Sequence, residues 1–207
     1  HYKWYERLFS FRIHSYDVTV MVPEGYTGNI DVETGSGSLE VQGITADNIS
    51  VNSDNGEIEV RDTKAAGSVN TETSNGNITV DSTSAGSMLK AVTSNGSVEI
   101  KSAAANDIRA ESSLGSIELA DVSVSGETHV KSGNGDIRTD NFVPGTVTEL
   151  RTDLGEISGS IAGELRDFTV SSYTDLGENS LPESLPGGEK ELTVKTDMGD
   201  IDITFIK

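Results

Sequence analysis

Thr73-Ser74-Asn75-Gly76-Asn77-Ile78-Thr79-Val80 aligns column by column with Thr34-Gly35-Ser36-Gly37-Ser38-Leu39-Glu40-Val41 upstream. It aligns equally well with Thr196-Asp197-Met198-Gly199-Asp200-Ile201-Asp202-Ile203 near the C-terminus. The glycine of this stretch recurs at positions 37, 56, 76, 96, 115, 135, 155, 177 and 199, at gaps of 19 to 22 residues. Self-similarity at such a period marks a repeat architecture. Three residues before each glycine stands a hydroxyl: Thr34, Ser53, Thr73, Thr93, Ser112, Ser132, Thr152, Thr174 and Thr196. Two residues after it stands a branched aliphatic in eight of nine repeats, from Leu39 and Ile58 to Ile157 and Ile201.

Four after the glycine come Val41, Val60, Val80, Ile100, Leu119 and Ile203, with Thr139 and Gly159 as weaker members. Seven and five before it stand pairs such as Ile30/Val32, Ile49/Val51 and Leu192/Val194. Polar residues fill the alternate positions, so each repeat is two half-buried strands flanking a tight turn. Asn-Gly at 55-56, 75-76, 95-96 and 134-135 tolerates positive φ and is also a hairpin signal. The near-constant period decides between these readings. An antiparallel meander has no reason to repeat the same columns at so regular an interval, whereas a coil stacked on itself does.

The expectation is an all-β, single-domain parallel β-helix of eight or nine rungs, about 4.8 Å apart, giving a rod roughly 40 Å long. Aliphatics line the inside, with a Ser/Thr row beside the turn whose hydroxyls can bond free backbone groups. One rung buries too few aliphatics to offset the entropy of ordering its residues, so the rungs must stack.

The stretch from His1 to Tyr16 breaks the pattern. Tyr2, Trp4, Tyr5, Phe9, Phe11 and Tyr16 supply six of the eleven aromatics, interleaved with Lys3, Arg7 and Arg12. Residues 1–26 are read as an N-terminal capping segment that covers the end of the solenoid, and 27–207 as the β-helical repeat domain. Ile201 to Ile206 is expected to form the last strand, and Asn179 to Glu191, with its prolines and glycines, a surface loop.

A net charge of −19 argues against nucleic acid, whose phosphates demand a basic face, and against anionic lipid. Glu40, Glu59, Glu99, Glu118 and Asp202 form an outward acidic column, broken by Thr79, Arg138 and Ser158. Stacked carboxylates can recruit Ca²⁺. However, the Gly-Gly-x-Gly-x-Asp calcium-roll repeat is absent, its nearest match being Gly133-Asn134-Gly135-Asp136. The column is therefore read as a solvated face, and no metal or cofactor site is assigned. The chain has no cysteine, which excludes disulfides and thiolate metal sites.

Parallel β-helices also host polysaccharide-cleaving enzymes, which need paired carboxylates or a base in a cleft with aromatic platforms. Acids occur everywhere, so no pair stands out. Phe142, Phe168 and Tyr173 are the main repeat-region aromatics, and His129 falls on the outward side. Without a nucleophile elbow, phosphate loop or zinc motif, no catalytic residue is assigned.

The Ser/Thr-x-x-Gly-x-Ile-x-Val repeat resembles a family of bacterial adhesins filed as a domain of unknown function and related to the toast-rack domains. Val20-Met21-Val22-Pro23 before the first rung and Leu192 to Ile203 at the close share in the likeness, which spans about residues 17 to 206. The resemblance implies a β-helical ectodomain of a bacterial envelope protein, anchored by a membrane segment outside this stretch. It carries over no catalytic residues. The leading expectation is a non-enzymatic, extracytoplasmic adhesin-like module at the cell surface, binding a repetitive protein or glycan ligand. The rival is an accessory or sensor domain of an envelope-stress system, and a polysaccharide-active enzyme ranks last.

Overall fold

The computed structural model describes residues 17–23 and 25–207. It is an all-β parallel solenoid of about eight turns with about 20 residues per turn. Residues 1–16 and 24 of the expected cap at 1–26 lie outside the described residues, and the first strand, Asn29–Thr34, starts just after the expected boundary at 27.

One turn of the coil runs through a long strand, Asn48–Asn55, then the glycine turn, a short strand, Ile58–Arg61, and a return corner that includes Lys64–Ala65. Long strands stack in one sheet and short strands in the other. Among the described residues the pairing is parallel throughout except at Ser184–Leu185, which runs antiparallel to Phe168–Leu176. Leu39, Ile58, Ile78, Val98, Ile117, Ile137, Ile157 and Ile201 form one row across the short-strand sheet. From Ile58 onward each member of that row is at most 1% exposed. Alternation in both sheets turns these residues into a core one or two side chains wide, which small branched aliphatics fill well.

The glycine and hydroxyl columns answer one geometric problem together. A Cβ on Gly56, Gly96 or Gly199 would lie 2.0 Å from the carbonyl oxygen of Gly37, Gly76 or Gly155 on the neighbouring rung. That carbonyl faces inward, and the hydroxyl column satisfies it. Thr73 Oγ1 donates to Gly56 O at 3.0 Å, Thr93 to Gly76 at 2.9 Å, Ser112 to Gly96 at 2.7 Å, Thr152 to Gly135 at 2.8 Å and Thr196 to Gly155 at 2.9 Å. A buried carbonyl without such a donor costs on the order of 1–3 kcal/mol.

Close approach, rather than positive φ, is the shared reason for these glycines, since Gly56, Gly96 and Gly115 are not in the left-handed region. The asparagines before them have no positive φ either. They form an amide ladder instead: Asn75 Nδ2 donates to Asn55 Oδ1 and Asn95 Nδ2 to Asn75 Oδ1, each at 2.8 Å. Among the described residues the non-glycine positions of positive φ all sit at the second corner, six after the turn glycine: Asp62, Ser82, Ser102, Asp121 and Asn141, at 49° to 54°, in a column that Gly43 shares at 68°.

The C-terminal end departs from the simple order. Lys190–Met198 and Ile201–Ile206 stack directly on Val147–Leu154 and Ile157–Ala162. Phe168–Leu176, earlier in the chain, lies outside them. Lys190–Met198 is thus an interior strand although it comes later in the chain, while Ile201–Ile206 ends the short-strand sheet, and residues 163–189 fold over this end as the terminal cap. The expected surface loop takes part: Leu181 is buried, and Ser184–Leu185 adds a strand. Phe168 packs against Phe205 at 5.4 Å between ring centroids, with Lys190 Nζ 5.9 Å from the Phe168 ring centre.

Among the described residues three core hydroxyls have no partner: Thr128, Thr139 and Thr148. Thr128 and Thr148 are register neighbours where other rungs carry Ile49, Leu89 or Ile108. Thr128→Val keeps the shape and removes an unsatisfied buried hydroxyl, so it is expected to stabilise by about 1 kcal/mol. A rise in the urea midpoint at unchanged slope checks this; a fall of similar size would mean that the hydroxyl has a partner.

Candidate functional site

On the outer face of the long-strand sheet, in the four middle rungs, residues four before the glycine are bulky or charged and those two before it are small. Glu72, Val92, Glu111 and Lys131 belong to the first column, and Ser74, Ser94, Ser113 and Gly133 to the second. Together they cut a trough along the solenoid axis beside the turns. Its first part, about 260 Å³, runs from Glu33 over Asn52 and Glu72 to Ser94; the second, about 380 Å³, runs from Val92 over Glu111 and Lys131 to Asp153. Val92 and Ser94 line both parts, so the two adjoin at that rung. From the rung of Glu33 to that of Asp153 it extends roughly 29 Å at strand spacing. Gly133 widens it, and a Cβ there would lie 2.6 Å from the Ser113 carbonyl oxygen.

The sheet face is electrically patched. Lys90 pairs with Glu72, Arg109 with Glu111 at 2.7 Å, and Arg151 with Asp153 at 3.6 Å. His129 lies outward, as expected, 3.1 Å from Glu149 and 3.3 Å from Glu127. Such exposed pairs contribute little stability, and the lining itself stays acidic, with Glu33, Asp54, Glu72, Glu111 and Asp153 against Lys131. At the capped end Tyr173 is exposed, and its hydroxyl donates to the Asp175 carboxylate. That hydrogen bond holds the phenol proton and raises the Tyr173 pKa above its ordinary value. Phe142 and Phe168 are buried in the core and so cannot serve as sugar platforms.

The acidic column of Glu40, Glu59, Glu99, Glu118 and Asp202 lies outside the short-strand sheet, on the other side of the coil from the trough. Glu59 pairs with Arg61 and Glu99 with Lys101, whose pKa is raised by the hydrogen bond to Glu99. Among the described residues no three carboxylates or histidines come together to hold a metal ion. In Gly133-Asn134-Gly135-Asp136, the Asp136 carboxylate accepts the Glu156 N–H at 2.9 Å, tying one rung to the next. Glu59→Lys exchanges a partly exposed charge and is expected to change stability by less than about 1 kcal/mol. A thermal melt in moderate salt tests it, and a large loss would mean that the column packs inside or holds a cation.

A second surface was not anticipated. In the position just before the turn glycine, the asparagine ladder gives way to Leu154, Met198 and Leu176 on three adjacent rungs, 45%, 50% and 68% exposed. The signal was present in sequence as a change from Asn to Leu or Met in one column. Its contiguity depends on the stacking order of the last rungs. Among the described residues no helix is long and apolar enough to cross a membrane.

A family model described as Toastrack DUF4097 matches residues 2–204, reaching upstream of the resemblance that begins near residue 17. No curated protein and no solved structure gives a significant match.

Proposed function

The chain belongs to the Toastrack DUF4097 family, and we propose that it acts as a non-enzymatic, extracytoplasmic binding module that grips a repetitive polymer, a glycan or a wall component, along its trough. The observation that carries this reading is the pair of adjoining concavities that follow one another over successive rungs, lined by hydroxyl, amide and carboxylate groups at strand spacing. Many weak polar contacts at fixed pitch suit a polymer, because every further contact is made intramolecularly once the first has formed.

Retention of the purified chain on isolated cell wall and on host matrix proteins, at low and moderate salt, tests the proposal. Salt-resistant retention on one of them is expected. Ser94→Trp, which fills the trough where its two parts meet, should reduce retention severalfold without changing the melting temperature. Retention on neither, or retention indifferent to Ser94→Trp, overturns the trough assignment. A second reading, an accessory or sensor domain acting beside a membrane protein of an envelope-stress system, is favoured by the apolar ridge of Leu154, Met198 and Leu176, which suits a protein partner better than a glycan.

A further inference from the structure

We propose that the ridge of Leu154, Met198 and Leu176 docks a basic amphipathic helix of another protein, one whose apolar stripe runs between two rows of lysine or arginine. The inference rests on reading the ridge as a protein-binding surface, and adds the chemistry of the partner. Leu154 and Leu176 each lie beside Met198 in register. The three side chains therefore follow one another at strand spacing, about 10 Å from first to last. All three are exposed, in the column where other rungs carry Asn55, Asn75 and Asn95 joined in an amide ladder. Contiguous exposed apolar side chains with a polar rim mark a place for a partner.

The rim decides which partner. One position before each apolar residue stands Asp153, Asp197 or Asp175, on the outer face of the long-strand sheet. Two positions after each, just past the turn glycine, stands Glu156, Asp200 or Glu178. The stacking that aligns the ridge aligns both acidic rows: the Ile157 N–H donates to Asp200 O at 2.9 Å and the Ile201 N–H to Glu178 O at 2.8 Å. Five of these six residues are exposed and Asp153 is half-buried. Among the described residues Asp153 alone of the six makes an ion pair, with Arg151. The strands that carry the rows bring two cations near the turn, Arg151 and Lys195, against the six carboxylates. Leu114, in the same column, is exposed too, but Ser113 and Ser116 flank it and Asn134 parts it from Leu154. Acidic rails and apolar ridge coincide only at the capped end.

The pitch of the ridge suits a helix. One helical turn rises about 5.4 Å, close to the rung spacing of about 4.8 Å, so side chains at i, i+4 and i+7 meet the three ridge residues in turn. Lysines or arginines on both flanks of that stripe reach the two acidic rows along their apolar stems. A second copy of this chain fits poorly, because ridge against ridge sets the carboxylate rows against one another, and juxtaposed like charges are costly. The same rows repel an anionic lipid surface. Because the rails are exposed and screened by salt, they steer and orient the partner while burial of the ridge holds it.

Two synthetic helices of roughly four turns supply the test. Both carry leucine at i, i+4 and i+7 on an alanine background; lysines flank the stripe in one and glutamates in the other. Titration calorimetry with the full chain should show the lysine helix binding at least about tenfold more tightly than the glutamate helix, and more weakly as salt rises. Leu176→Ser/Met198→Ser should weaken that binding at least about tenfold, and so should Glu156→Lys/Glu178→Lys. Leu114→Ser and Ser94→Trp should leave it unchanged. All these positions are exposed or at the surface, so each variant should melt close to the parent. Equal binding of both helices, lost in the serine variant, keeps the ridge as a protein surface but overturns the basic partner. Lysine-helix binding that survives the serine variant reduces to net charge and overturns the ridge. Binding of neither helix overturns both. A dimer mass in light scattering that the serine variant returns to monomer would overturn the inference by assigning the ridge to a second copy. None of these outcomes depends on the trough binding anything.

Discussion

Ile78→Asp is expected to unfold the chain cooperatively. Ile78 is fully buried between Ile58 and Val98, its register neighbours, which are at most 1% exposed. The substitution loses an aliphatic side chain worth about 1.5–3 kcal/mol and places a carboxylate where the core supplies no partner. The summed loss exceeds about 4 kcal/mol, the range in which single substitutions become exceptional. The pH dependence follows from the sign of the shift. Burial raises the folded-state pKa of the new carboxyl above its unfolded value near 3.9, so the folded chain binds the extra proton. The variant is therefore least unstable at about pH 4 and loses further stability as pH rises through neutrality. Far-UV circular dichroism during urea denaturation reads this, and a native-like transition at pH 7 would sink the inward placement of the row.

Gly96→Ala is the second large effect, and one methyl group causes it. The added Cβ would lie 2.0 Å from Gly76 O and 2.5 Å from its carbonyl carbon. Both belong to backbone held by parallel ladders on two sides, so neither can rotate away. Relief requires the rungs to part, which weakens the Thr93-to-Gly76 hydrogen bond. The expected loss is about 3 kcal/mol or more, at the upper end of overpacking penalties. Gly43→Asn serves as the contrast. Gly43 has a φ of 68° and open space around it, and its column carries Asp62, Ser82, Ser102, Asp121 and Asn141 in the same conformation. That substitution should be nearly neutral. If both variants melted alike, backbone conformation rather than rung contact would be the reason for the turn glycines.

These two substitutions divide what is legible in the columns from what is not. Ile78 could be placed inward from sequence because alternation is a local property, and nine copies of it leave little freedom. The hydroxyl column could be seen, but its acceptor could not, since Thr93 and Gly76 meet only after one rung lies on another. The same holds for the asparagines, whose amide ladder exists only between rungs. The trough was invisible because it depends on depth. Small residues such as Ser94 and Gly133 signal a cavity only once the bulkier neighbouring column is known to stand beside them.

The amino-acid sequence by itself determined the all-β solenoid, its rung length and the inward and outward faces. Each rests on strand alternation and on the spacing of the turn glycines, which every rung repeats. Tertiary structure alone decided the order of the last rungs. Segments 168–177 and 190–206 both carry the hydroxyl and the turn glycine, so either could pair with Val147–Leu154. Phe168 against Phe205, and Gly188 fitting where a Cβ would lie 2.2 Å from the Phe168 backbone, favour the later segment inside and the earlier one outside. That choice brings Leu154, Met198 and Leu176 into one ridge, because neighbours across a parallel sheet are set by which strands pair rather than by distance along the chain.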